Sequence, residues 1–308
     1  MSVATHSPSA LLSLSSASKI ASYNVQPASG PNPISSAIEL SQATHRINLV
    51  NAWGVIHPGS RILELGCGQG TCTAVLAEAV SQVGGGQVDA VDPAPLDYGM
   101  PFTLGEAQQH LASGPVGKFI TFHRADPVSF LTAPENEDKK WDVAVLAHCI
   151  WYFASAEELG RILTALKERA KRVCVAEYAL HATEPAAVPH VLAVLARAAL
   201  EAHRLTSSEN VQTLLSPAGI KEVAAGSGWK IESESTVVPD AELSDGYWEM
   251  ATVVAKEFVD DVGKAINQDK VRSLLNSARD ATVAAAEAVG GAKKTRTMDV
   301  WVATLVVG

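Results

Sequence analysis

Cysteine is scarce in this chain, with four in 308 residues. That is too few for a disulfide framework, and no Cys-x-x-Cys pair suggests zinc. All four read as reduced thiols of a cytoplasmic protein. Basic residues are in deficit, 24 Lys and Arg against 33 Asp and Glu for a net charge of −9. That balance argues against a nucleic-acid partner, because binding a phosphate backbone draws on clustered Lys and Arg. The basic cluster Lys293, Lys294 and Arg296 is short and reads as a solvated loop. Apolar runs stop short of the roughly 18 uninterrupted residues a spanning helix needs, so no membrane segment is expected. The Ser- and Ala-rich start, Met1 to Lys19, has no basic stretch before Leu11-Leu12 and makes a poor signal peptide. Residues 1–20 are expected to form a mobile tail.

What remains is ordinary globular material, 47% hydrophobic and 19% charged. Ser36 with Glu39 three residues later has the form of a capping box, followed by Ala37, Leu40, Ala43, Ile47 and Val50 at helical spacing. Strand-like and helical runs then alternate: strand Arg61–Leu65, helix Thr71–Val83, strand Gln87–Val91, helix Phe102–Ser113, strands Phe119–Phe122 and Trp141–Leu146, helix Ala156–Ala170, strand Val173–Tyr178. Alternation of this kind builds a parallel sheet wound by right-handed crossovers. Helices are expected at Ala187–His203 and Pro217–Gly226, a strand at Trp229–Val238, one helical segment from Tyr247 to about Val289, and a closing strand at Asp299–Val307. The late helices suit a substrate cap or extra core equally.

Arg61–Gly70 reads Arg-Ile-Leu-Glu-Leu-Gly-Cys-Gly-Gln-Gly, an apolar strand running into three alternating glycines and then a helical stretch. Glycine supplies turns with positive φ and removes Cβ atoms from the path of a bound ligand. A dinucleotide fingerprint wants a third glycine or alanine where this chain has Thr71. At Glu64, Gly66, Gly68 and Gly70 the chain instead resembles the class I (Rossmann-like) S-adenosylmethionine-dependent methyltransferases, whose first motif commonly reads E/D-x-G-x-G-x-G. The resemblance spans about Asn51 to Tyr178. It implies an α/β fold with a doubly wound, seven-stranded, mostly parallel sheet, the final strand antiparallel. It also implies one methyltransferase domain over 21–308, with N-terminal lid helices at 21–56 and helical cap additions at 187–226 and 244–290.

The resemblance assigns a cofactor site for S-adenosylmethionine. Glu64 would hold the methionine end, with Gly66, Cys67, Gly68 and Gly70 passing beneath ribose and carboxypropyl group. Asp92, at the end of a strand before Pro93, would take the ribose hydroxyls, though an Asp before proline also forms turns. Asp126, followed by Pro127, would bind the adenine amino group, or cap the helix after it. Ala147 and His148 end the fourth strand, which in the family borders the methyl group.

Methyl transfer from a sulfonium is an in-line displacement on an activated donor, so no protein nucleophile is needed. A base serves if the acceptor must lose a proton, and His148 is the candidate, with local pocket-shaping as its other reading. Trp151 and Tyr152, beside Phe153, suit an acceptor pocket or simple packing. Glu177 and His181 stand at another strand end. Tyr23 and Arg46, the latter beside His45, would be lid contacts, and Trp248 would line the cap. No recognisable acidic cluster points to a metal. The expected function is methylation of an O, N or S atom of a small organic acceptor. The alternatives are an NAD(P)-dependent oxidoreductase, against which the glycine spacing and the lack of a Tyr-x-x-x-Lys pair count, and a non-catalytic protein with the same fold. Oligomeric state is open.

Overall fold

The computed structural model describes residues 11–26, 33–204, 207 and 209–308. Residues 1–10 of the expected tail lie outside these. A short turn at Leu14–Ser16 leads into α1 (Ala17–Ala21), and Leu12 and Ile20 are buried, so packed chain begins before residue 21. Helix α2 (Pro33–Trp53) starts upstream of Ser36, at a proline whose fixed φ suits a first helical position. The Ser36–Glu39 pair therefore lies inside the helix and does not begin it.

The chain then alternates: β1 (Arg61–Leu65), α3 (Thr71–Ser81), β2 (Gln87–Asp92), α4 (Leu104–Ala112), β3 (Ile120–Arg124), α5 (Pro127–Thr132), β4 (Trp141–Ala147), α6 (Ala156–Leu166) and β5 (Ala170–Tyr178). It continues with α7 (Val188–Glu201), α8 (Pro217–Gly226), β6 (Trp229–Val237), α9 (Asp245–Val254), α10 (Lys256–Ala265), α11 (Asp269–Ala288) and β7 (Val300–Val307). The strands form one seven-stranded sheet in the order β3-β2-β1-β4-β5-β7-β6, with β1 parallel to β2 and β4, β2 parallel to β3, and β6 antiparallel to β7. This is the α/β sheet expected from the alternation. Among the described residues no helix is long and apolar enough to cross a membrane.

Two compact units make up the chain, Met1–Val145 with Arg169–Cys174 and Leu146–Glu168 with Val175–Gly308. In the first, Ile62, Leu63 and Leu65 of β1 and most of α3 are buried, which small apolar residues permit where helix and strand pack closely. Strand order reverses between β1 and β4, paired at Ile62–Val143, Leu63–Ala144 and Glu64–Val145. Open α/β sheets bind ligands at the carboxyl ends of strands at such a reversal, and β1 there runs into the glycine loop.

In the second unit the helical segment expected from Tyr247 to Val289 is three helices. Ala255 and Ile266 take extended conformations and turn the chain. Those turns bring Met250, Val253, Phe258, Val262 and Leu275 together with Ala193, Ala196 and Leu200 of α7 in one apolar core. Strand β6 is largely exposed and carries Lys230, Glu232 and Glu234, charges that discourage further strand pairing.

Candidate functional site

The glycine loop is a backbone structure first. Gly66, Gly68 and Gly70 have φ of 74°, 53° and 94°, a region that side-chain-bearing residues rarely enter. The amides of Gly66 and Cys67 both donate to the Val91 carbonyl, at 2.8 and 3.2 Å, hanging the loop from the end of β2. A Cβ at Gly70 would lie 2.9 Å from the end of the Leu111 side chain, which can move aside, so it is the φ of 94° that calls for glycine here. At Gly68 nothing lies within 4 Å of where a Cβ would stand. Two glutamines hold the loop: Gln108 Nε2 donates to the Gly68 carbonyl at 2.7 Å and Gln69 Nε2 to Phe102 O at 2.5 Å.

Asp92 closes this arrangement. Its Oδ2 accepts from the Gly68 amide at 2.8 Å and its Oδ1 from Ala94 N at 2.9 Å, so Pro93 sits within a turn tied by the carboxylate. Each carboxylate oxygen has two lone-pair directions, which leaves capacity for two hydroxyl donors. The Ala125 amide donates to the Asp92 carbonyl at 3.2 Å, bringing the chain before α5 alongside. Asp126 N-caps α5, its Oδ1 accepting from Ser129 N at 2.8 Å with Pro127 first in the helix.

Glu64, Arg46 and Tyr23 belong to the same unit. Glu64 is buried beneath the loop and accepts from Thr73 Oγ1 of α3 at 2.5 Å. Burial raises its pKa to about 7, against the lowering effects of the Thr73 and Cys72 hydrogen bonds and the Arg46 charge. The Arg46 side chain on α2 has a buried Nη1 with no hydrogen-bond partner. Tyr23 is buried with its hydroxyl donating to Glu78 of α3 at 2.8 Å, which anchors the N-terminal segment.

The second unit gathers a different set. His148 follows Ala147 at the end of β4 and has φ 53°, and its amide donates to the Ala176 carbonyl at 2.8 Å. Its Nδ1 lies 3.7 Å from Glu177 Oε1 and its ring centroid 4.4 Å from that of Tyr178. Glu177 is buried and accepts from Ile150 N and Tyr178 N, both at 3.0 Å, so it fixes the turn that carries Trp151. The Trp151 ring stands 5.4 Å from Tyr178, and its Nε1 donates to Leu215 O. Tyr152 and Trp248 are exposed. His181 Nδ1 pairs with Asp299 at 2.7 Å, tying the chain after β5 to the start of β7.

Three residues here escape any reading of spacing. Gln108 meets the glycine loop from α4, Asp245 accepts from the Tyr178 hydroxyl at 2.8 Å, and His190 packs its ring edgewise on Tyr178 at 5.1 Å. His190 is fully buried, which lowers its pKa to about 4 and keeps it neutral, while its Nδ1 accepts from Met298 N. Among the described residues no group of three or more His, Cys, Asp or Glu is arranged to hold a metal.

No family model matches the chain. In an alignment 316 positions long that covers 90% of this chain, it is 29% identical to a protein of Diaporthe leptostromiformis named methyltransferase phomM', 78% of which is covered. A crystal structure of a cyclopropane-fatty-acyl-phospholipid synthase-like protein from Lactobacillus casei superposes with a TM-score of 0.81 and 28% identity over 96% of this chain and all of that one. The chain is thus similar over most of its length to named methyltransferases, and S-adenosylmethionine-dependent methyl transfer is the activity that these likenesses support. At 11% identity and a TM-score of 0.50, a geranyl diphosphate C-methyltransferase from Streptomyces coelicolor, solved with Mg2+, geranyl diphosphate and S-adenosylhomocysteine, shares the fold over 89% of this chain and 83% of its own. The residues present fit S-adenosylmethionine on two counts. The glycine loop leaves space over Gly68 beside a carboxylate with spare acceptor capacity, and a buried guanidinium nitrogen on α2 has no partner.

Proposed function

We propose that the methyl group goes to an O, N or S atom of a small organic acceptor, with His148 as the base. When bound, S-adenosylmethionine supplies a methyl group already activated by its sulfonium, so displacement needs alignment and exclusion of water more than protein nucleophiles. In this reading Asp92 accepts from the two ribose hydroxyls, the backbone of residues 66–70 passes beneath the cofactor, and Asp126 meets the adenine amino group with the oxygen not used as a helix cap. Glu64 faces the methionine end through its Thr73-bound carboxyl. The observation that carries the cofactor assignment is the latch of Gly68 N onto Asp92, which fixes acid and open glycine side by side.

The acceptor reading draws on the second unit. In this reading the rings of His148, Trp151 and His190, packed tilted or edgewise around Tyr178, wall a pocket for a flat or apolar molecule, with the Tyr178–Asp245 hydrogen bond as its polar group. His148 takes a left-handed backbone that few non-glycine residues adopt, and such outliers concentrate at working sites. In this reading its imidazole accepts the acceptor's proton, while Glu177 steadies the imidazolium. In this reading His181 and the exposed Tyr152 and Trp248 would meet the acceptor as it enters, and the net charge of −9 argues against nucleic acid. The four buried free cysteines accord with a cytoplasmic protein.

The test is turnover of His148→Ala against a panel of phenols, amines and thiols. Turnover is expected to fall by about 10²- to 10⁴-fold, and the acidic limb of the pH profile to disappear, with S-adenosylhomocysteine affinity unchanged. Full turnover would remove His148 as the base.

A further inference from the structure

His190 is the third residue of α7, and its side chain is fully buried within the second unit. Its Nδ1 lies 3.1 Å from the Met298 amide. A backbone N–H only donates, so Nδ1 is the acceptor of that bond and carries no proton. The ring is neutral, because burial lowers its pKa to about 4, and its one proton is therefore on Nε2. That N–H is sealed from solvent and meets no acceptor among the described residues. Buried donors are seldom left so, because each has given up a bond to water. Packing alone would be served by phenylalanine, or by an imidazole whose second nitrogen also found a partner.

The ring belongs to the cluster around Tyr178. It stands edgewise on that tyrosine with centroids 5.1 Å apart, and the same tyrosine lies 4.4 Å from His148 and 5.4 Å from Trp151. The Tyr178 hydroxyl is engaged elsewhere, with Asp245. We propose that His190 is an acceptor-binding residue whose Nε2–H donates to a carbonyl oxygen of the small molecule that is methylated. A carbonyl fits for two reasons. It has lone pairs and no proton of its own, whereas a hydroxyl or amine would bring a further donor in need of a partner. It is also uncharged, and a neutral imidazole brings no positive charge to offset the desolvation of a carboxylate or phosphate. Because Nε2 is sealed, a ring of the cluster turns aside as the carbonyl enters.

This inference rests on the acceptor reading of the ring cluster, and the two fail in different ways. The experiment is calorimetric titration of wild-type protein and His190→Asn, each in saturating S-adenosylhomocysteine, with the ortho, meta and para isomers of hydroxyacetophenone and of ethylphenol. Within each pair of isomers a carbonyl replaces a methylene. Asparagine keeps an oxygen to accept from Met298 N and removes the Nε2 donor. Wild-type protein is expected to bind at least one ketone about 5- to 100-fold more tightly than its ethylphenol partner, and His190→Asn to bind that pair within about threefold of each other. Equal binding within every pair by wild-type protein, or a ketone preference that survives in His190→Asn, overturns the proposal and leaves the N–H a packing feature of the cluster. If neither ketones nor ethylphenols bind, the acceptor reading itself fails and takes this inference with it. If circular dichroism shows His190→Asn unfolded, nitrogen-15 NMR of wild-type protein decides. The His190 ring is expected to carry its proton on Nε2 at neutral pH, and the Nε2 resonance to shift with the preferred ketone and not with its ethylphenol partner. A proton on Nδ1, or an Nε2 resonance unmoved by the ketone, overturns the proposal.

Discussion

Glu64 shows how burial and cofactor chemistry are set against one another in single residues. With its folded pKa at about 7, above the usual carboxylate value, the folded protein holds a proton on Glu64 that the unfolded chain has released. The folded state therefore loses stability as pH rises from about 4.5 to about 7, and the loss is complete above that window, on the order of 3 kcal/mol. Glu64→Gln keeps the shape and never ionises. Urea unfolding at pH 5.5 and 8.5 is expected to show the variant gaining on wild-type protein at the higher pH, and no pH-dependent difference would mean that Glu64 ionises normally. The same residue was legible in the sequence because a strand ending in an acid before alternating glycines states a backbone requirement. Arg46 was legible as a lid contact of the N-terminal segment, and Gln108 not at all. Its role depends on reaching Gly68 from a separate helix, and spacing carries no record of that.

At the scale of elements, agreement follows where local chemistry decides. Strand β1, helix α3 and strand β2 lie where the apolar runs and glycines put them, and β3 and α6 shift only at their ends. Helix α4 begins later than the apolar pattern suggests because Thr103 and Glu106 form a complete capping box, each side chain bonding the other's backbone. Thr103→Ala is expected to lower stability by about 1 kcal/mol, read as a lower urea midpoint with unchanged slope. An unchanged midpoint would show that the helix start is held by packing alone. The late helices went unresolved because Ala255 and Ile266, where the chain turns, carry no glycine or proline to mark a break. Only the shared core with α7 explains why a helix-prone stretch bends there.

Across the whole molecule, a sheet reversing between β1 and β4 sets the glycine loop at the strand ends where such folds bind ligands, and Asp92 fastens that loop. The aromatic and imidazole groups of the second unit, proposed above to recognise an acceptor, are assembled from residues as far apart as His148 and Asp245, which hid their grouping from the sequence. The central claim is that the loop and Asp92 were built for S-adenosylmethionine rather than a nicotinamide dinucleotide. The most direct measurement is calorimetric titration of wild-type protein and Asp92→Ala with S-adenosylmethionine, S-adenosylhomocysteine, NAD and NADP. The account predicts micromolar binding of the first two alone, roughly −7 to −8 kcal/mol, and at least about tenfold weaker binding by a folded Asp92→Ala. Binding of NAD or NADP instead, or unchanged affinity in Asp92→Ala, would contradict it.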